Sequence, residues 1–223
     1  TVNRIMGILS MILDEVALEH GVNNPLTAVK RLKVKKTDIE PFSLEEVRRL
    51  IDEVRADFQD YLIVRFFTGM RSGEIHGLKW RFVDFDRREI CVRETIVNGR
   101  EEYTKTDGSQ REIQMSQPVF DALRRMQDRT GDGVYVFQTS NGLPIDTHNF
   151  TNRIWNPLLD RLGLKRRRPY QTRHTAATLW LAAGENPEWI ARQMGHTSTQ
   201  MLFSVCSREN ANMSRQERAG CDR

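Results

Sequence analysis

The sequence predicts a mixed α+β fold, mainly α-helical with a small antiparallel sheet, and three observations lead there. Apolar residues recur at helical spacing through most of the 223 residues. Between 82 and 115 the pattern changes to alternation, with turn pairs at Asp86-Arg87, Asn98-Gly99 and Asp107-Gly108. An apolar content of 39% is ample for a sizeable core at this length.

In chain order, Val2, Ile5, Ile8, Leu9, Ile12 and Leu13 mark an amphipathic helix over residues 1–20, ended by Gly21, with an apolar stripe that needs a partner. NPLTAVKRLKVKKTDIE, from Asn24 to Glu40, loses the helical period and gains charge, as a linker does. Ser43 and Glu46 form a capping box before a helix carrying Leu44, Val47, Leu50, Ile51 and Val54, and a new domain begins there. A second helix around Tyr61 to Phe67 stops at Gly69, and TGMRSGEIHGLKW opens another near Arg71. FVDFD, EICVRETI and REIQMS alternate as strands. Val119 to Met126 is helical, VYVFQ is a short strand and NGLP a turn. Phe150 to Leu162 is again helical, with a break or bend expected at Pro157. Ala176 to Ala183 reads as a buried helix stopped by Gly184. Asn186 and Pro187 start a short helix with Trp189, Ile190 and Met194 inward, and it ends at Gly195. Thr197 or Ser198 caps a last helix bearing Leu202, Val205 and Cys206.

The charge is only +4, but the cations cluster, which favours a polyanionic partner, nucleic acid first. Lys30, Arg31, Lys33, Lys35 and Lys36 fit a phosphate-following segment or a solvated linker equally well, and Lys165, Arg166, Arg167 and Arg168 form a second run. Cys91, Cys206 and Cys221 are far apart and without metal-ligand spacing, so reduced thiols in a cytoplasmic protein are expected, with no metal or cofactor. No run reaches membrane-spanning length and no signal-peptide pattern opens the chain.

Arg71, Lys105, Arg173 and His196 are distant in sequence, yet each lies beside a break where a side chain can be aimed. Two guanidiniums suit the equatorial oxygens of a pentavalent phosphate, because they stay charged and bind two oxygens each. A lysine or histidine can then bond a remaining oxygen or protonate a leaving alkoxide. Glu74, three residues after Arg71, is either half of a surface ion pair or a carboxylate that orients the arginine.

TGMRSGEIHGLKW, the TKTDGSQREI hairpin and the stretch from Tyr170 to Cys206 closely resemble the catalytic domain of tyrosine recombinases of the phage-integrase type, over roughly residues 42–208. The resemblance implies that fold and a DNA strand transfer without metal or nucleotide cofactor. Residues 1–23 are similar to the last helix of that family's core-binding domain, 24–41 to its interdomain linker, and 209–223 form a polar tail. An arm-binding domain and most of the core-binding domain are then absent from this chain. The resemblance further implies that Arg71 and Arg173 clamp the scissile phosphate, Glu74 supports the first arginine, Lys105 is the general acid toward the 5′-oxygen and His196 bonds the phosphate. His174 is expected to be a packed, hydrogen-bonded helix residue. The implied partner is double-stranded DNA carrying a recombination site, on which the family assembles as a tetramer.

Two departures stand out. Tyr170 occupies the first position of the family's H-x-x-R motif, and Cys206 occupies the place of the nucleophilic tyrosine. Cysteine lacks the reach of tyrosine and its sulfur is a poorer partner for phosphorus, so the expectation is a chain that binds DNA but cleaves poorly or not at all. A non-catalytic DNA-binding relative is the nearest alternative. A helix-turn-helix regulator, read from PEWIARQMGHTSTQMLFSV, is another, although it leaves Arg71 and Lys105 unaccounted for.

Overall fold

The computed structural model describes residues 2–33, 39–97, 99–103, 110–196 and 198–199. The chain divides into two compact units, Thr1–Asp38 and Ile39–Arg223.

In the first unit the expected helix is present as α1 (Val2–His20), and none of its residues is buried. Ile5, Ile8 and Ile12 lie exposed on it, so the apolar stripe stays uncovered within this unit. Within the segment expected as a linker, residues 24–32 carry local structure. Asn24 caps a 3-10 turn, Pro25–Ala28, by accepting from the Leu26 amide at 2.8 Å. Its amide nitrogen also donates to Asp14 Oδ1 on α1 at 2.6 Å. Asn3 then holds Leu32 by a reciprocal pair of bonds at 2.8 and 2.9 Å. Side-chain amides satisfy the backbone here, a signal that hydrophobic period does not carry.

The second unit is built on α3 (Gln59–Thr68), which is buried on most sides and packs against α2 (Leu44–Glu53), α5 (Gln117–Thr130) and α8 (Gln171–Ala182). The capping box of α2 is formed in both directions, Glu46 N to Ser43 Oγ at 3.1 Å and Ser43 N to Glu46 Oε2 at 2.9 Å. Val47 and Leu50 face the core, while Leu44 is exposed. Phe42, Phe66 and Trp155 meet edge-on or tilted and fill the centre with Leu62, Val64 and Ile75.

The alternating stretch makes two sheets instead of one. β1 (Val83–Asp84), β2 (Glu89–Val92) and β5 (Arg111–Gln114) form an antiparallel sheet in the order β1-β2-β5, with Ile90 opposite Ile113. β3 (Glu94–Val97) and β4 (Arg100–Tyr103) form a separate hairpin in which Glu94 lies opposite Tyr103. The expected continuous strand EICVRETI therefore breaks at Arg93, whose guanidinium turns back to the carbonyls of Val92 and Arg111. The hairpin rests on the short helix α4 (Ser72–His76), where Gly73 permits a close approach. A Cβ at Gly73 would stand 2.5 Å from the Ile96 carbonyl oxygen and from Thr95 Oγ1.

VYVFQ makes only isolated bridges, Lys79 with Tyr135 and Gln138 with Pro144. Helix runs through the expected break at Pro157: α6 (Thr147–Phe150) passes through a π turn, Thr151–Trp155, into α7 (Asn156–Arg161). The widened turn supplies room where the proline ring would clash with a carbonyl one turn back. The buried part of α8 is its polar first half, Gln171, Thr172, Arg173 and Thr175 with Ala176 and Ala177, whereas the apolar stretch after Thr178 is half-buried or exposed. α9 (Pro187–Met194) is capped by Asn186 and ends at Gly195, as expected.

Candidate active site

Three backbone breaks meet at the site. Gly69 ends α3, and Arg71 follows as the N-cap of α4. Glu74, at the third position of α4, accepts from the Arg71 amide and from Arg71 Nη1, both at 2.8 Å. Arg71 keeps 37% of its side chain exposed, while Glu74 keeps 2%. A buried carboxylate with an arginine reaching outward from it is not a surface ion pair, so the orienting reading of Glu74 fits the geometry.

Arg173 is 1% exposed at the start of α8. Its Nη1 donates to the Gly69 carbonyl at 2.5 Å and its Nη2 to the Met194 carbonyl, and Nη2 lies 3.1 Å from His196 Nε2. The last carbonyls of a helix have no intrahelical donor and carry the negative end of its dipole, so they suit a buried cation. Gly195, at φ 64°, lets its own amide reach Arg192 and the His196 amide reach Ala191, which closes α9 and fixes where the histidine leaves the backbone. Because a guanidinium only donates, Nε2 accepts from Arg173 and the ring hydrogen sits on Nδ1. That Nδ1 is buried and has no partner among the described residues.

Arg111 completes the set, and sequence reasoning missed it. It is 6% exposed at the start of β5 and binds Glu74 through Nη1 at 3.1 Å and Nη2 at 2.8 Å, with Nε on the Gln193 carbonyl at 2.6 Å. The available signal was its alternation with Ile113, which puts a cation on the buried face of a strand.

The charges act on one another. Burial pushes the Glu74 carboxyl up, but the hydrogen bonds and charge of Arg111, then of Arg71, hold it down at about 2. Burial, followed by the Arg71 charge, brings Arg173 down to about 10, so it stays protonated at neutral pH. Burial and the charges of Arg173, Arg71 and Arg111 take His196 down to about 4, which leaves a neutral ring. His174 is lowered by burial and by Arg173; it is packed, but its Nδ1 lacks the expected hydrogen bond among the described residues. Tyr170 is 45% exposed, with its ring edge-on to His174 at 5.3 Å. An open cavity of about 440 Å³ adjoins the set, lined among others by Arg111, Trp189, Gln193 and His196.

The structure thus brings together Arg71, Glu74, Arg173 and His196. Lys105 and Cys206 lie outside the described residues, as do Lys35 and Lys36. Lys30, Arg31 and Lys33 are exposed in the first unit. The second basic run is not a free cationic strip, because local carboxylates claim most of it. Lys165 pairs with Glu40, and Arg166 pairs with Asp160. Arg167 is half-buried on Glu46, donates to the Pro41 carbonyl at 3.0 Å and stacks 4.1 Å from the Phe42 ring centroid. Arg168 is exposed and makes no ion pair with a described residue. Among the described residues there is no cluster of side chains able to hold a metal ion and no helix long and apolar enough to cross a membrane.

The helical frame, the small sheet with its separate hairpin and this carboxylate-braced pair of arginines define the catalytic domain of the tyrosine recombinases. Residues 40–210 match the phage integrase family, and the chain belongs to it. Among relatives, it is 28% identical to prophage integrase IntR of Escherichia coli (strain K12), over 92% of this chain and 56% of that protein. It is 32% identical to IntQ of the same strain, over 92% of this chain and 59% of that protein. The chain therefore spans little more than half the length of these relatives. Of solved structures, the Tn1549 transposon integrase in complex with circular intermediate DNA superposes with a TM-score of 0.78 at 20% identity, covering 97% of this chain and 79% of that one. A lambda integrase tetramer bound to a Holliday junction gives 0.67 at 14% identity, covering 87% and 58%.

Proposed function

We propose that this chain is the catalytic part of a site-specific DNA recombinase that seats a DNA phosphodiester on Arg71, Arg173 and His196 and that, with Cys206 at the nucleophile position, is deficient in cleavage. One observation carries the reading: Arg173 is a nearly fully buried guanidinium whose bonded partners among the described residues are two main-chain carbonyls and a neutral histidine, with no carboxylate. Burying an unneutralised cation is costly, and an anionic ligand offsets that cost. Glu74 is already saturated by Arg71 and Arg111. Among the described residues, Arg71, Arg111 and Arg173 stand against the one carboxylate of Glu74, an excess of positive charge that suits a dianionic five-coordinate phosphorus better than a singly charged ground-state diester. The Nδ1–H of His196, unpartnered among the described residues, is the donor left for a non-bridging oxygen.

In the full reaction, a tyrosine oxygen at the position of Cys206 bonds to phosphorus as the bond to the 5′-oxygen breaks. The phenolic proton passes to water, and Lys105 gives a proton to the leaving oxygen. The covalent link conserves the phosphodiester, so attack by a 5′-hydroxyl of another strand reverses the step and completes exchange without a nucleotide cofactor. Tyr170, exposed at the mouth of the site, offers a phenol where the family most often has a histidine. The DNA-bound and tetrameric relatives support double-stranded DNA as partner and assembly of four copies on it.

A nicked suicide duplex tests this. The chain as it stands is expected to bind the duplex and form little covalent adduct, and Cys206→Tyr to form a stable 3′-phosphotyrosine adduct. A high yield of adduct from the unaltered chain, abolished by Cys206→Ala, overturns the deficiency. Binding unaffected by Arg173→Ala in a protein that remains folded overturns the clamp.

A further inference from the structure

We infer that Gln193 is a positioning residue for Arg173 and His196, an inference that rests on reading those two as part of the seat for a DNA phosphodiester. In the order β1-β2-β5, β5 is the end strand, and among the described residues no strand pairs with its outer edge. The side chain of Gln193 lies on that edge instead. Its Oε1 accepts from the Gln114 amide at 3.0 Å, and its Nε2 donates to the Glu112 carbonyl at 3.5 Å. Alternate residues of a strand turn their backbone groups to the same side, so one carboxamide stands in for the donor and acceptor of a neighbouring strand. Gln193 is 5% exposed, and a buried amide is costly to leave without partners.

The same residue is fastened through its backbone. Arg111 on β5 donates from Nε to the Gln193 carbonyl at 2.6 Å, while its two terminal nitrogens hold Glu74. Trp189, one turn earlier on α9, adds an indole bond to Gln114 Oε1 at 3.3 Å. These ties matter because α9 has a small apolar footing. It is eight residues long, and Ile190 and Met194 form with Ala177 a buried cluster apart from the main core. Met194 directly follows Gln193 and gives its carbonyl to Arg173, and His196 stands two residues further on, 3.1 Å from Arg173 Nη2. Gln193 therefore fixes the turn that supplies Arg173 with an acceptor and sets where His196 leaves the helix. It does so against the strand whose Arg111 braces the carboxylate of Arg71. A misplacement of about 1 Å is enough to cost up to about a hundredfold in rate.

The test compares a charged and a neutral scissile linkage. In a Cys206→Tyr background, single-turnover cleavage is measured on suicide duplexes carrying a phosphodiester or a methylphosphonate at the scissile position. The methylphosphonate lacks the ionised oxygen and leans less on cationic contacts. Arg173→Ala is expected to lose on the order of a hundredfold or more on the phosphodiester and under about tenfold on the methylphosphonate. Gln193→Met, which keeps the stem and removes the carboxamide, is expected to lose about tenfold on the phosphodiester and less than about twofold on the methylphosphonate. Leu50→Ala, a core truncation in α2, which packs on α3 and α7, should destabilise the domain and act alike on both linkages. Amide exchange at Gln114 should be about tenfold faster in Gln193→Met than in the unaltered chain, with α3 unchanged. Full cleavage by Gln193→Met, equal losses on its two linkages, or unchanged exchange at Gln114 overturn the positioning role alone. Equal losses on both linkages for Arg173→Ala, or no cleavage in the Cys206→Tyr background, overturn the phosphodiester seat and the positioning role with it.

Discussion

Replacing Arg111 with methionine removes one of the two cations on Glu74 and keeps much of the buried stem. The carboxyl is held at about 2 against its ordinary 4.5, although burial alone would raise it. At 1.36 kcal/mol per unit that depression corresponds to about 3 kcal/mol of native stability at neutral pH. Arg111 supplies the larger part of it, ahead of Arg71. Arg111→Met should therefore cost about 2 to 3 kcal/mol at pH 7, or roughly 5 to 10 °C in Tm for a domain of this size. The sign follows from the direction of the shift. A carboxyl with a depressed folded pKa stabilises above its unfolded value, and the effect fades as pH falls through the folded one. The difference between the two proteins should thus be full above about pH 5 and shrink to about half by pH 3. Urea unfolding of both proteins across that range is the assay. A difference under about 0.5 kcal/mol at pH 7, or one level from pH 7 to pH 3, would refute the reasoning.

Two further outcomes are expected. His76, 1% exposed between the Tyr61 hydroxyl and Thr147, is taken down to about 3 by burial and then by Arg65. Its folded pKa lies below the unfolded one, so stability is whole above about pH 6.5 and declines on acidification. His76→Gln should remove about 2 to 3 kcal/mol of that decline by pH 4, and parallel stability–pH profiles would count against it. In the second basic run, Arg167→Ala should lower stability by about 1 to 3 kcal/mol and leave the salt dependence of DNA binding unchanged. Arg168→Ala should do the reverse, reducing the slope of log K against log salt by about 0.9 while urea midpoints hold. Anisotropy titrations on a duplex separate the two, and equal slopes for both variants would contradict the assignment.

Much of this domain is legible in the residues. The capping box at Ser43 and Glu46, the helix stops at Gly69 and Gly195 and the i,i+3 spacing of Arg71 and Glu74 are local rules, and each holds. What escapes is set by tertiary contact. Nothing local says that Arg111 serves Glu74, because 37 positions separate them. The division of the strands into two sheets depends on where the Arg93 guanidinium turns, and periodicity is the same in either arrangement. The run Lys165 to Arg168 reads as a polyanion surface only while the positions of Glu40, Glu46 and Asp160 are unknown. On α8 the apolar stretch suggested burial, yet the polar first turns are the buried ones, since the carbonyls of Gly69 and Met194 receive Arg173 there.

Those acceptors have a consequence for how the domain tolerates change. Arg173 is gripped by main-chain oxygens of Gly69 and Met194, which every amino acid possesses. A substitution beside the grip leaves the acceptors in place only where it leaves the course of these two turns unchanged. What the grip requires is the path of the chain, and that path is set by Gly69 at φ 61° and by Gly195 at φ 64° just past the buried Met194.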